Sequence, residues 1–148
     1  VNDFDLFSVS EIENFLSSPS YSIDMLRQLL RNTTSEVEYY FIVGIDAFLE
    51  IHLWKQFEEV LSSVHFIVAA RLEISCKKME QYVSLLGYEK IDYYWYNARY
   101  GKNIFYLEEM VTQVSSSELR DKLSRDIGIE KIPPAVLKYI DIHGLYGR

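Results

Sequence analysis

Apolar residues recur along this chain with two alternating rhythms. In Ser22–Leu30 they fall at positions 23, 26, 29 and 30, the spacing of a helix with one buried face. Tyr39–Val43 is an unbroken apolar run that stops at Gly44, the pattern of a parallel strand buried on both faces. His65–Ala70 repeats that pattern, and Ala47–Ile51 and Gln56–Ser62 between the two runs read as helical. Cys76–Leu86 is helical by spacing, while Ile104–Leu107 and Met110–Val114 read as extended. Ser116–Asp126 and Pro134–His143 read as helices, the second with proline at its start and Gly144 at its stop. Upstream, Phe4–Ile12 alternates weakly and predicts a short strand, followed by a loop over Asn14–Ser20 with a proline break. Strands that alternate with helices predict an α/β fold with a parallel sheet. No repeat, low-complexity tract or linker divides the chain, so the reading is one domain over residues 1–148.

Composition narrows the class. With 148 residues, 49% hydrophobic and 25% charged, the chain can bury a core and is not of disordered type. No apolar run approaches the roughly 18 residues needed to span a bilayer. No basic leader opens the chain, and Cys76 is the single cysteine, which excludes an internal disulfide. Both point to the cytoplasm. A net charge of −7 argues against a nucleic-acid binder, although one local positive pocket suffices to hold a nucleotide.

Candidate chemistry gathers at a few places. Ser115 and Glu118 have capping-box spacing, leaving the helix start, Ser116, Ser117 and Arg120 able to hold an anion. An ordinary capped surface helix fits the same residues. Gly44 and Asp46 follow a buried strand directly, where open parallel sheets take ligands. There Gly44 lets a ligand approach the backbone, and Asp46 either accepts from a ribose hydroxyl or caps the helix near Ala47. The aromatic cluster Tyr93–Tyr96 with Tyr100 reads as a hydrophobic strand or a subunit contact rather than a stacking platform for nucleic acid. His65 and His143 read as structural, and Lys55 as solvated. Walker, zincin, nucleophile-elbow and paired-cysteine zinc patterns are all absent.

Four ordered blocks resemble the bacterial nicotinate-nucleotide adenylyltransferases. They are Pro19-Ser20-Tyr21-Ser22-Ile23-Asp24, then Phe41-Ile42-Val43-Gly44-Ile45-Asp46-Ala47 with Trp54, then His65–Val68 with Arg71, and finally Ser115–Arg120 followed by Tyr139-Ile140 and His143-Gly144-Leu145-Tyr146. The stretch from Glu73 to Leu107 carries little of the resemblance. The family's opening His-x-Gly-His, which grips the ATP phosphates, does not occur here, so no catalytic residue is assigned. Leu72-Glu73 stands where the family has Pro-Gly after the strand-ending arginine.

The resemblance implies a Rossmann-like nucleotidyltransferase fold lacking its N-terminal third. It implies adenylyl transfer from ATP to nicotinate mononucleotide in NAD biosynthesis, with Mg²⁺ accompanying ATP. Gly44, Asp46, Arg71, Ser116, Ser117 and Arg120 would then hold ATP. Tyr21, Ser22 and Trp54 would hold the mononucleotide, Trp54 by stacking on the pyridine ring. The chain alone is expected to be inactive. Its strand at Tyr39–Val43 is expected to expose an apolar edge that pairs with the missing segment or with a second copy. Two alternatives remain open: a related nucleotidyltransferase with another phosphorylated acceptor, and a non-catalytic interaction module. Neither a membrane nor nucleic acid is an expected partner.

Overall fold

The computed structural model describes residues 6–31, 33–34, 36–71, 76–108, 116–123 and 132–147. They form two compact units, one within residues 1–111 and one within 112–148. The first holds a five-stranded sheet, order β1-β2-β5-β4-β3. Its strands are β1 (Tyr40–Gly44), β2 (His65–Ala69), β3 (Glu89–Ile91), β4 (Tyr94–Asn97) and β5 (Lys102–Leu107). Its helices are α1 (Ser22–Leu30), α2 (Ile45–Leu49), α3 (Phe57–Ser63) and α4 (Cys76–Leu85), with short 3-10 turns at Ile12–Phe15 and Ile51–Leu53.

The α/β expectation holds, with a mixed sheet whose core is parallel. β1 pairs parallel with β2, Tyr40 opposite His65 and Gly44 opposite Ala69. β2 pairs parallel with β5, Phe66 opposite Ile104. The β3–β4 hairpin then extends the sheet antiparallel. The aromatic segment is thus a strand: Trp95 is buried, and Tyr94 stands opposite Phe105. Asn97 closes the β4–β5 turn from inside. Its Oδ1 accepts the N–H groups of Arg99 and Tyr100, and its Nδ2 donates to the Leu86 carbonyl.

One sheet face carries Val43, Phe66, Val68, Trp95 and Ile104, all buried. Ile23 and Leu26 of α1, Phe48 of α2, Val60 and Leu61 of α3, and Met79 and Val83 of α4 complete that core. Burial of such side chains contributes roughly 1.5–3 kcal/mol each. The opposite face is open at β1, where Ile42 is 71% exposed. β1 is therefore not the doubly buried strand its apolar run predicts, and the strand order makes it an edge strand among the described residues. The apolar edge expected from topology is present.

The strand expected at Phe4–Ile12 is corrected. Phe4 and Asp5 lie outside the described residues; 6–11 form no strand, and Ile12 opens a 3-10 turn. Leu6, Phe7 and Val9 are exposed, Leu6 by 95%. No described strand lies alongside to complete a hydrogen-bond ladder.

The second unit contains α5 (Ser116–Leu123) and α6 (Pro134–Ile142), with Leu123, Ile132 and Ile140 at its core. His143 is the α6 C-cap, as its sequence position suggests. Met110–Val114, Ser115 and 124–126 lie outside the described residues. No described helix is long and apolar enough to cross a membrane.

Candidate functional site

β1 runs without a loop into α2, and Gly44 is the N-cap of that helix. Asp46 therefore sits inside the first turn and caps nothing, which corrects the capping alternative. The reason is geometric: the helix begins at Ile45, so Asp46 is its second residue, already past the cap position. Its carboxylate instead meets the guanidinium of Arg71, Nη1 to Oδ2 at 3.1 Å. Gly44 lies under the pair. A Cβ placed on it would fall 2.5 Å from Asp46 Oδ1 and 3.7 Å from Arg71 Nε. The backbone φ of Gly44 is −70°, so close approach and not conformation calls for glycine here. Gly44, Asp46 and Arg71 thus converge just beyond the carboxyl ends of β1 and β2. A groove of about 460 Å³ between α2 and α4 opens beside Asp46, lined also by Leu49, Glu50, Gln81 and Tyr82.

A second cluster forms at the start of α1. Tyr21 is its N-cap residue, and no side chain caps the helix, so Ser22 is the first helical residue and not a cap. Trp54, half-buried, follows the 3-10 turn and sets its indole edge-on to Phe41 at 5.9 Å. Lys55 joins these two pieces. Its ammonium lies 2.9 Å from Asp24 Oδ2 and 4.4 Å from the centre of the Tyr21 ring. The reading of Lys55 as merely solvated is corrected by these contacts. Arg27 forks onto Glu59, Nε at 2.8 Å and Nη2 at 2.6 Å, and reaches Asp24 at 3.4 Å. The hydrogen bond from Lys55 holds the Asp24 carboxyl below the usual range, and Arg27 does the same to Glu59. Nothing local in the sequence announces this network: 31 positions separate Asp24 from Lys55.

In the second unit Ser116 opens the described part of α5. Arg120 is exposed and its Nη2 lies 3.3 Å from Ser117 Oγ, so two expected phosphate ligands meet one helical turn apart. The capping box of Ser115 with Glu118 lies outside what is described there. Among the described residues, no three His, Cys, Asp or Glu come together to hold a metal ion.

His65 is structural. It is buried, its Nδ1 accepts the Asn103 N–H at 3.0 Å, and Tyr40 stacks on it.

No family model matches the chain. Curated proteins do. A protein of Desulfotalea psychrophila named "probable nicotinate-nucleotide adenylyltransferase" is 34% identical over 143 residues, covering 95% of this chain and 67% of its own length. Proteins of the same name from Desulfatibacillum aliphaticivorans and Lachnoclostridium phytofermentans are 32% and 30% identical, covering 93% and 99% of this chain. The chain spans about two-thirds of the length of each of these relatives. With identity of this degree running almost end to end, the chain belongs to the nicotinate-nucleotide adenylyltransferase family.

Proposed function

We propose that the protein transfers the adenylyl group of ATP to nicotinate mononucleotide, giving deamido-NAD and pyrophosphate as a step of NAD biosynthesis. Family membership sets the reaction class. The observation that carries the reading is the gathering of Gly44, Asp46 and Arg71 beyond the carboxyl ends of adjacent parallel strands. On this reading Asp46 accepts from a ribose hydroxyl across Gly44, and Arg71 faces phosphate. Ser116, Ser117 and Arg120 hold phosphate oxygens. Tyr21 and Ser22 receive the pyridine carboxylate, and Trp54 stacks on the ring.

The chemistry asks little covalent work of the protein. A phosphate oxygen of the mononucleotide attacks the α-phosphorus of ATP in line. The new P–O bond forms as the bond to the pyrophosphate oxygen breaks, and pyrophosphate leaves with the electron pair. Positioning and charge stabilisation are what such a step needs. A divalent ion such as Mg²⁺ would enter on the nucleotide phosphates as part of the substrate.

The test is a pyrophosphate-release assay on the full-length protein with ATP and a panel of phosphorylated acceptors. Turnover should be fastest with nicotinate mononucleotide, and the product should have the mass of deamido-NAD. Turnover with a different acceptor and none with this one would replace the proposal by the related-transferase reading.

A further inference from the structure

The two pieces of the acceptor cluster come from distant parts of the chain, yet a closed set of charged contacts straps them together. Lys55 bonds Asp24, Asp24 meets Arg27, and Arg27 forks onto Glu59. Gln56 Nε2 lies 3.3 Å from Glu59 Oε2, which returns the circuit to the residue after Lys55. Gln56 also stands in the left-handed region at φ 52°, which a non-glycine residue adopts only at a cost. That conformation turns the chain between the extended Trp54 and the start of α3. Strain of this kind persists where surrounding contacts enforce it.

All four charged side chains are at least one-third exposed or nearly so, the least being Asp24 at 32%. Exposed ion pairs add little to stability. What this set does is geometric. Its members sit next to the residues that matter: Lys55 follows Trp54, and Asp24 lies two positions after Ser22. The Lys55 ammonium over Tyr21 fixes that ring as well.

We infer that Lys55 is a positioning residue, whose bond to Asp24 and stacking on Tyr21 set the distance between Trp54 and the Tyr21–Ser22 helix start before the pyridine nucleotide arrives. This rests on the acceptor reading given above. It adds that the Lys55 side chain controls acceptor affinity through the two chain segments it ties together, without reaching the substrate itself. Preorganisation of this kind lowers the ordering cost of binding.

Steady-state kinetics of the full-length protein decide it, with Lys55→Met, Lys55→Arg, Asp24→Asn and the double variant Lys55→Met/Asp24→Asn. Each of the charge-removing single variants should raise KM for nicotinate mononucleotide about tenfold, as expected for a small misplacement of binding groups. KM for ATP should stay within about twofold. The double variant should be no worse than either single, because both break one strap. Lys55→Arg should recover most of the affinity, and melting temperatures should move by only about 2 °C. A rise in KM with Lys55→Met but none with Asp24→Asn would mean that Lys55 touches the substrate, and would overturn the positioning role. An unchanged acceptor KM in both single variants would overturn it too, while leaving the activity reading intact. Absence of any turnover of nicotinate mononucleotide by the unmodified protein would sink the activity reading first.

Discussion

Arg71 Nη1 stands 3.1 Å from Asp46 Oδ2, joining two residues that each lie two positions past a paired strand end, Gly44 opposite Ala69. Register makes the pair: parallel strands that end level deliver their next side chains to the same edge. Both side chains remain largely open, Arg71 66% and Asp46 46% exposed. The pair therefore contributes little to stability, and what it does is hold the two side chains against each other beside Gly44.

Arg71→Ala and Asp46→Ala should each depress kcat/KM for ATP about ten- to hundredfold, the range for losing a hydrogen bond to a charged group. Thermal stability should hardly change. Gly44→Ala should imitate them, because the new methyl collides with the Asp46 carboxylate at 2.5 Å and turns it away. ATP kinetics and a melting curve for each variant check this. A large drop in melting temperature without loss of ATP affinity would make the pair structural.

Much of this edge was legible in the sequence, and for a physical reason. A continuous apolar run ending in glycine marks a strand giving way to a helix, so the place of Gly44 and Asp46 just past β1 is legible locally, although one face of that strand stays open at Ile42. The Asp46–Arg71 bond could not, since it depends on which strands become neighbours. The same limit explains the sheet. Ile104 lies beside Phe66 and Trp95 beside Ile104, long-range pairings that no local pattern encodes. The aromatic segment consequently gave its strand character but not its place. Over the described residues 6–12 the weak alternation lacks a neighbouring strand, which is what turns alternation into a ladder. A single lysine such as Lys55 carries no local signal, because its partner Asp24 lies 31 positions away.

Trp54→Ala should weaken use of nicotinate mononucleotide far more than use of ATP. Loss of ring stacking costs roughly 1–3 kcal/mol by analogy with bases on aromatic side chains. Trp54 also packs edge-on against Phe41, so the alanine variant should lose stability as well. Trp54→Phe separates the two effects: it keeps an aromatic face and much of the packing, and should recover most acceptor affinity. Separate Michaelis constants for both substrates, with melting temperatures, provide the readout. Equal losses for ATP and acceptor in both variants would mark Trp54 as a packing residue.

Arg120→Ala should lower ATP use while leaving melting unchanged. In the second unit the guanidinium is exposed, and its observed partner is the Ser117 hydroxyl, a neutral group that water can replace. Removing it leaves no buried charge unpaired, so no stability penalty is expected. The phosphate role predicts a KM for ATP raised about tenfold or more, with Arg120→Lys restoring charge but not the fork. A marked fall in melting temperature with ATP kinetics untouched would end that role.

His65 should make the fold sensitive to mild acid. Burial is the main cause that pushes its pKa below the ordinary value; the nearby Lys102 adds to this, and Glu38 opposes it. Geometry gives the same direction. Nδ1 accepts the Asn103 backbone N–H at 3.0 Å, and a protonated Nδ1 could no longer do so. The unfolded chain, with histidine near pKa 6.5, therefore takes up a proton before the folded one does. Stability that is fully present above about pH 6.5 should be lost as pH falls through the depressed folded value. Asp24 and Glu59, held low by Lys55 and Arg27, extend the loss only near pH 4 and below, so the windows separate. Melting temperatures from about pH 8 to pH 5 should slope downward through this window, and His65→Gln, which keeps an acceptor for Asn103 but cannot titrate, should flatten the slope. Identical slopes in the two proteins would show that His65 carries no part of the acid response.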